Sequence, residues 1–210
     1  MLRQSFSSLA RMLSLLLVAG SACATGVPPD QLVKTTAEEV LTIIRSDPDI
    51  ANGDTRKVVA IVETKVLSHF DFERMTRLAV GKNWRSASDA QKLSLTTAFR
   101  TLLVRTYSVA LTQFRDRAVE YRPLEEAPSG PEVMVHTAVA TPQGKSINID
   151  YRMVATGDDW KVYDILVDGV SLVVNYRSVF DSTVEHEGVD GLVSLLEKKN
   201  AQATADPGTP

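Results

Sequence analysis

Cysteine occurs once in 210 residues, at Cys23, which excludes an internal disulfide and a thiolate-based zinc site. Aromatic residues make up only 6% of the chain, so any core must be chiefly aliphatic. An excess of one charge is also missing. Lys and Arg number 23 against 26 Asp and Glu, a net −3, and no broad electrostatic footprint for nucleic acid exists. The longest apolar run, Met12–Ala19, falls well short of the roughly 20 residues that span a bilayer. HExxH, the Walker loop, GxGxxG and GxSxG are all absent. What remains, 44% hydrophobic residues with 11 Gly and 9 Pro, suffices for a packed core. That composition excludes collagen-like, low-complexity and fully disordered chains.

The first 24 residues read as a secretory signal. Arg3 and Arg11 are their only charges and both precede the apolar run, and small residues follow, ending in Ala22-Cys23-Ala24, an A-x-A cleavage pattern. A lipoprotein signal ending at Cys23 fits less well, because Gly20 stands where a bulky aliphatic residue belongs. Cleavage after Ala24 removes two arginines and the cysteine, leaving 21 basic against 26 acidic residues, a net −5 and no thiol. Such a chain folds in an oxidising compartment without mispairing. The expected location is therefore outside the cytoplasm, in the periplasm of a Gram-negative source.

Residues 25–200 are expected to form one domain, helical first and strand-rich second. Leu32, Val33, Val40, Leu41 and Ile44 recur at helical spacing, and Ser46-Asp47-Pro48-Asp49 stops that helix. Val58, Val59, Val62 and Val66 predict a second helix over Thr55–Leu67. Asp71 can cap a short third one and Gly81 can end it. Ser88-Asp89-Ala90-Gln91 is a capping box. The helix it opens, from Ser88 to Arg115, carries an apolar stripe from Leu95 to Phe114. At 1.5 Å per residue it is about 40 Å long, and it is expected to lie across a sheet.

Beyond Arg117 the period changes to two. Ala118–Leu124 and the alternating Val133, Val135, Thr137 and Val139 predict two strands, and a turn at Thr141-Pro142-Gln143-Gly144 follows. Ile147, Ile149, Tyr151 and Met153 face one way and Asn148, Asp150 and Arg152 the other, as in an antiparallel strand with one buried face. After Gly157-Asp158-Asp159 comes a last strand, Trp160–Val167. The fold class is α+β: an antiparallel meander of four to five strands against several helices. Closing helices are expected at Ser171–Val184 and Val189–Lys199, with a disordered polar tail over Ala201–Pro210.

Chemistry is sparse. His69, His136 and His186 show no metal-ligand spacing, so neither a metal nor a cofactor is implied. Asp164 and Asp168 can be read as an acid pair, although a polar strand end followed by a turn explains them as well. Apolar side chains are the conspicuous inventory, and stripes of this kind serve a core as readily as a ligand pocket.

Three segments carry a family resemblance. They are Phe70-Asp71-Phe72 through Gly81-Lys82-Asn83-Trp84-Arg85 and on to Phe99–Tyr107, Gly157-Asp158-Asp159-Trp160 running into Asp168-Gly169-Val170-Ser171-Leu172-Val173-Val174-Asn175-Tyr176-Arg177, and Gly188-Val189-Asp190-Gly191-Leu192. In order and spacing they resemble the MlaC (toluene-tolerance) family over roughly Leu32 to Lys198, with one departure: Asp168 where glutamate is expected. The resemblance implies a non-enzymatic periplasmic phospholipid carrier without catalytic residues. Its partners would be an outer-membrane lipoprotein–porin complex and an inner-membrane ABC transporter with an MCE-domain subunit. It would serve to maintain outer-membrane lipid asymmetry.

By that resemblance, acyl chains of a glycerophospholipid lie between sheet and helices with the headgroup near solvent. The candidate pocket residues are Phe99, Leu103, Tyr107, Ile147, Ile149, Tyr151, Met153, Trp160 and Val173. Arg177 is assigned a structural role rather than a lipid phosphate. The negative mature charge argues against broad binding to anionic membranes, so docking to protein partners is the better reading. Two rival functions stand beside the carrier: transport of another hydrophobe, and a periplasmic enzyme on a similar scaffold.

Overall fold

A computed structural model describes residues 26–141 and 144–205. Residues 1–25, which hold the expected signal segment, and residues 206–210 lie outside the described residues, as do Pro142 and Gln143.

Helix α1 spans Pro29–Ser46, with Pro29 at its first position, Asp30 in its first turn and Arg45 in its last. Each suits the backbone groups and the dipole at that end. Its stripe of Leu32, Val33, Val40, Leu41 and Ile44 is buried. Asp47 ends α1 and caps the one-turn α2 (Pro48–Ala51), accepting from Asp49 N and Ile50 N at 2.9 and 3.4 Å. Lys57 Nζ binds the same carboxylate at 2.9 Å and, by donating to it, lowers its pKa. α3 (Thr55–Lys65) starts on the Asp54 cap, and a 3-10 turn at Leu67–His69 follows. α4 (Phe72–Val80) has Asp71 as N-cap, bonded to Arg74 N at 2.9 Å, and ends at Gly81 with φ 62°.

α5 (Asp89–Phe114) begins at the capping box read from the sequence, with both the Ser88 hydroxyl and the Gln91 amide bonded. Its placement differs from expectation. It packs chiefly against α3, α4 and α6 (Arg177–Ala205), not across the sheet. Phe99, Phe180, Leu95, Leu192 and Leu196 form an all-helical core there, and Phe99 meets Phe180 and Tyr176 edge-on at 5.3 and 5.1 Å.

The sheet is an antiparallel meander in the order β1 (Val119–Arg122), β2 (Glu132–Ala140), β3 (Ser146–Thr156), β4 (Asp159–Val167) and β5 (Val170–Ser171). A register shift at Arg152/Met153 leaves Tyr163 without an opposite residue, and its ring lies under the Arg74 guanidinium at 3.7 Å. On the same face Arg74 and Tyr163 donate to the Glu132 carboxylate at 2.6 and 2.7 Å, Arg74 foremost in holding it below the usual range. Asp168 and Gly169 carry φ values of 47° and 83° in the β4–β5 turn. Aspartate tolerates that left-handed conformation better than most residues. Its carboxylate accepts from Asn148 N at 2.9 Å, a local role for the aspartate that stands where a glutamate is expected.

The helix expected from Ser171 starts instead at Arg177. Ser171 pairs with β4, its hydroxyl accepting from Val174 N at 2.9 Å and donating to Asp164 at 2.8 Å, and this bends the chain into a 3-10 turn. At the other end α6 continues through the first five residues of the expected tail, to Ala205. It is broken within by Gly188 at φ 71°, ψ −177°. The break brings Glu187 so close to Gly191 that an added Cβ would stand 2.2 Å from the glutamate Cβ. We expect Gly188→Ala, in a conformation nearly confined to glycine, to cost about 1–3 kcal/mol. Gly191→Ala should cost a similar amount by crowding, again about 1–3 kcal/mol. Urea denaturation of each variant measures both.

Candidate functional site: an apolar cavity between α1 and the sheet

The inner face of the sheet is not fully covered. α1 lies over β1 and β2 and leaves a cavity of about 220 Å³ that opens to the surface. One wall is the stripe on α1, from Leu32 and Val33 through Thr36 and Ala37 to Val40 and Leu41. The sheet supplies Val119, Tyr121, Thr137, Val139, Ile149, Tyr151 and Met153 by the period-two alternation of β1 to β3. On β4 the register shift at Tyr163 changes the phase, so that Val162 and Ile165, opposite Met153 and Tyr151, both line the cavity. Val66, His69 and Phe70 close one side, and Leu111 and Phe114 reach in from the last turns of α5.

No Asp, Glu, Lys or Arg belongs to this lining. The Thr137 hydroxyl is committed to Ile149 O at 2.8 Å. Burial raises the Tyr151 phenol to about 12, so it stays neutral at physiological pH. His69 Nδ1 is buried without a hydrogen-bond partner. Chemically the surface can exclude water and accept hydrocarbon, and it presents no carboxylate, ammonium or guanidinium group. A second cavity of about 160 Å³ lies among the helices, lined by α3, α4 and α5 residues with Ile165 and Leu172. Val66, Phe70, Leu111 and Ile165 are common to both cavities and form the wall between them. Together the two reach the size of ligand pockets, about 300–1,000 Å³.

The expected pocket residues fall into three groups. Ile149, Tyr151 and Met153 line the sheet cavity, while Leu103 and Tyr107 line the helical one. Trp160 packs with Leu32, Val33 and Val162 in the adjoining core, and Ile147 stands opposite Val139 on the strand. Phe99 and Val173 lie in the helical core and border neither cavity. The α1 face, the His69–Phe70 corner and the β1 residues were missing from the expected set, although the α1 stripe and the Val119/Tyr121 alternation are plain in the sequence.

Arg177 sits away from both cavities, its Nε and a terminal nitrogen donating to Leu78 O at 3.1 and 2.5 Å near the end of α4. Asp164 and Asp168 do not act as a pair: Asp164 is fully buried against Ser171 and Arg152, the latter at 3.5 Å, while Asp168 holds Asn148. His136 bonds Asp150 at 2.8 Å and His186 bonds Ser182 O at 2.7 Å. Among the described residues no group of three or more His, Cys, Asp or Glu could hold a metal ion. No helix among them is long and apolar enough to cross a membrane.

Ser108 offers a test of the second cavity. Its hydroxyl is buried there with no partner. A buried unsatisfied hydroxyl costs about 1–3 kcal/mol. Ser108→Ala should therefore stabilise delipidated protein by about 1 kcal/mol, at the low end of that range, read as a raised urea midpoint at constant m.

Sheet, helices and charge-free cleft define an α+β protein built around an open apolar cavity. The family model described as MlaC protein matches residues 34–198, and the chain belongs to that family. It is 21% identical over 204 residues to the intermembrane phospholipid transport system binding protein MlaC of Haemophilus influenzae, covering 96% of this chain and 95% of that one. It is 22% identical over 129 residues to the toluene tolerance protein ttg2D of Pseudomonas putida, covering 59% and 60% of the two chains. Among solved structures it resembles a phospholipid-binding protein from Ralstonia solanacearum in complex with a phospholipid. That match has a TM-score of 0.77 and 35% identity, over 85% of this chain and 99% of the other.

Proposed function

We propose that this protein carries a glycerophospholipid between membranes across an aqueous gap, holding acyl chain in the cavity between α1 and the sheet. The open cavity without a charged lining is the observation that carries the reading. Similarity to a protein solved with phospholipid bound supports it. Ile149, Tyr151 and Met153 are assigned to the acyl contact.

The energetics suit a carrier. Each buried methylene is worth about 0.8 kcal/mol, so two chains of about 15 methylenes are on the order of 20 kcal/mol better off out of water. A free lipid cannot leave a bilayer quickly against that, whereas transfer between bilayer and apolar cavity is near neutral. Direction then comes from partner affinities or from ATP hydrolysed elsewhere, and the carrier needs no catalytic group. The secretory-signal pattern over Met1–Ala24 supports a periplasmic location, with cleavage behind Ala24. There it would exchange lipid with an outer-membrane lipoprotein–porin complex and an inner-membrane ABC transporter bearing an MCE-domain subunit, maintaining outer-membrane lipid asymmetry.

Native mass spectrometry of protein released from a bacterial periplasm without detergent tests the reading. A stoichiometric glycerophospholipid adduct, identified after extraction, is the expected result. Another bound hydrophobe would replace the ligand, and a single apo mass with no uptake from phospholipid vesicles would overturn the proposal.

A further inference from the structure

Phe70 is the one residue that borders three spaces: the sheet cavity, the helical cavity and a polar recess at the surface. The recess is lined by Glu63, Ser68, Thr96, Thr97 and Arg100, and it shares Leu67, Phe70 and Phe72 with the helical cavity. The Phe70 and Phe72 rings stack at 5.7 Å with 20° between their planes, and the Arg100 guanidinium stands 5.7 Å from the Phe72 ring centre. A cation thus ends an aromatic pair that begins where the two apolar chambers meet. Among the described residues neither Arg100 nor Glu63 takes part in an ion pair, so both charges are open to a ligand.

We propose that Phe70 marks a three-way junction sorting the parts of one diacyl glycerophospholipid: one acyl chain enters each cavity, and a zwitterionic headgroup occupies the Arg100–Glu63 recess. This rests on the carrier reading above and adds to it a headgroup site and a preference. A glycerol with two ester-linked chains and one phosphodiester has three arms, and the junction offers two apolar exits and one polar exit. The planar guanidinium of Arg100 matches phosphate oxygens. Glu63 supplies the complement to an ammonium linked to that phosphate, as in an ethanolamine head. A purely anionic head satisfies Arg100 and is repelled by Glu63.

The test measures uptake, from vesicles doped with each lipid, of phosphatidylethanolamine, phosphatidylglycerol and phosphate-free diacylglycerol by delipidated full-length protein. Arg100→Gln should weaken both phospholipids by about tenfold, the weight of a charge-assisted contact partly open to water, and leave diacylglycerol unchanged. Glu63→Gln should weaken only phosphatidylethanolamine, by about threefold, within the range of exposed charge pairs. Ser108→Phe, which fills the helical chamber, should lose diacyl lipid and keep lysophosphatidylethanolamine. Arg100 and Glu63 are exposed, so their variants are expected to fold whether or not Ser108→Phe does. Equal losses for phosphate-bearing and phosphate-free lipid, or none, would overturn the junction while the carrier reading stands. Wild-type protein that takes up none of these lipids would overturn both. Inorganic phosphate added alone should bind wild type and Arg100→Gln equally poorly, and Arg100-dependent binding of free phosphate would overturn the assignment to a lipid head.

Discussion

Replacing Ala37 by Trp should yield a folded protein that no longer holds lipid. Ala37 lies on the cavity face of α1 one turn after Val33 and one before Leu41, all three in the lining. An indole projecting from that position occupies the space meant for hydrocarbon, while the residues behind it keep their packing. Displacing about six methylenes at about 0.8 kcal/mol each weakens binding by roughly 5 kcal/mol, on the order of a thousandfold. Native mass spectrometry and vesicle uptake read the loss, and circular dichroism establishes that the fold survives. Stoichiometric lipid on the variant would show that the cavity under α1 is not where the chain sits.

Phe99→Ala should have the opposite profile. The side chain is fully buried, with Phe180 and Tyr176 edge-on to it, and is not part of the lining of either cavity. Truncating such a phenylalanine costs about 3–5 kcal/mol, through lost burial and the void left behind. Chemical denaturation should show that drop at nearly unchanged m. The lipid carried per folded molecule should equal the wild-type value. A folded Phe99→Ala protein without lipid would mean that the helical core reaches the ligand, as expected from the sequence before the layers are known.

The contrast between Ala37 and Phe99 shows where the sequence was legible. Capping residues are local signals, and Ser88, Asp71 and Gly81 act at the positions their chemistry predicts. The strand alternation brings Ile149, Tyr151 and Met153 together on the inner face of β3, where they line the cavity. An amphipathic stripe, however, reports that a helix face is covered and says nothing of what covers it. The stripe on α5 is covered by α6 at Leu95 and Phe99 but borders the cavities from Leu103 to Phe114, and the stripe on α1 faces a cavity. Nothing nearby in sequence reveals Phe70 as a shared wall. It is held there by a single parallel bridge to Val162, with Asp71 N donating to Val162 O at 2.9 Å.

The helical core draws its two halves from distant parts of the chain. Leu192 and Leu196 close over Leu95 and Phe99, and the Asn200 amide donates to Ala98 O across 102 residues at 2.9 Å. Until the C-terminal helix has been synthesised, that apolar face of α5 has nothing to cover it. Pairing so remote in sequence is slow to form because loop closure precedes any gain from contact. Completion of the core therefore waits on synthesis of α6, and the nascent polypeptide stays threadable until then. That delay suits the export proposed above, in which the chain would pass a narrow translocation channel before it adopts its final shape.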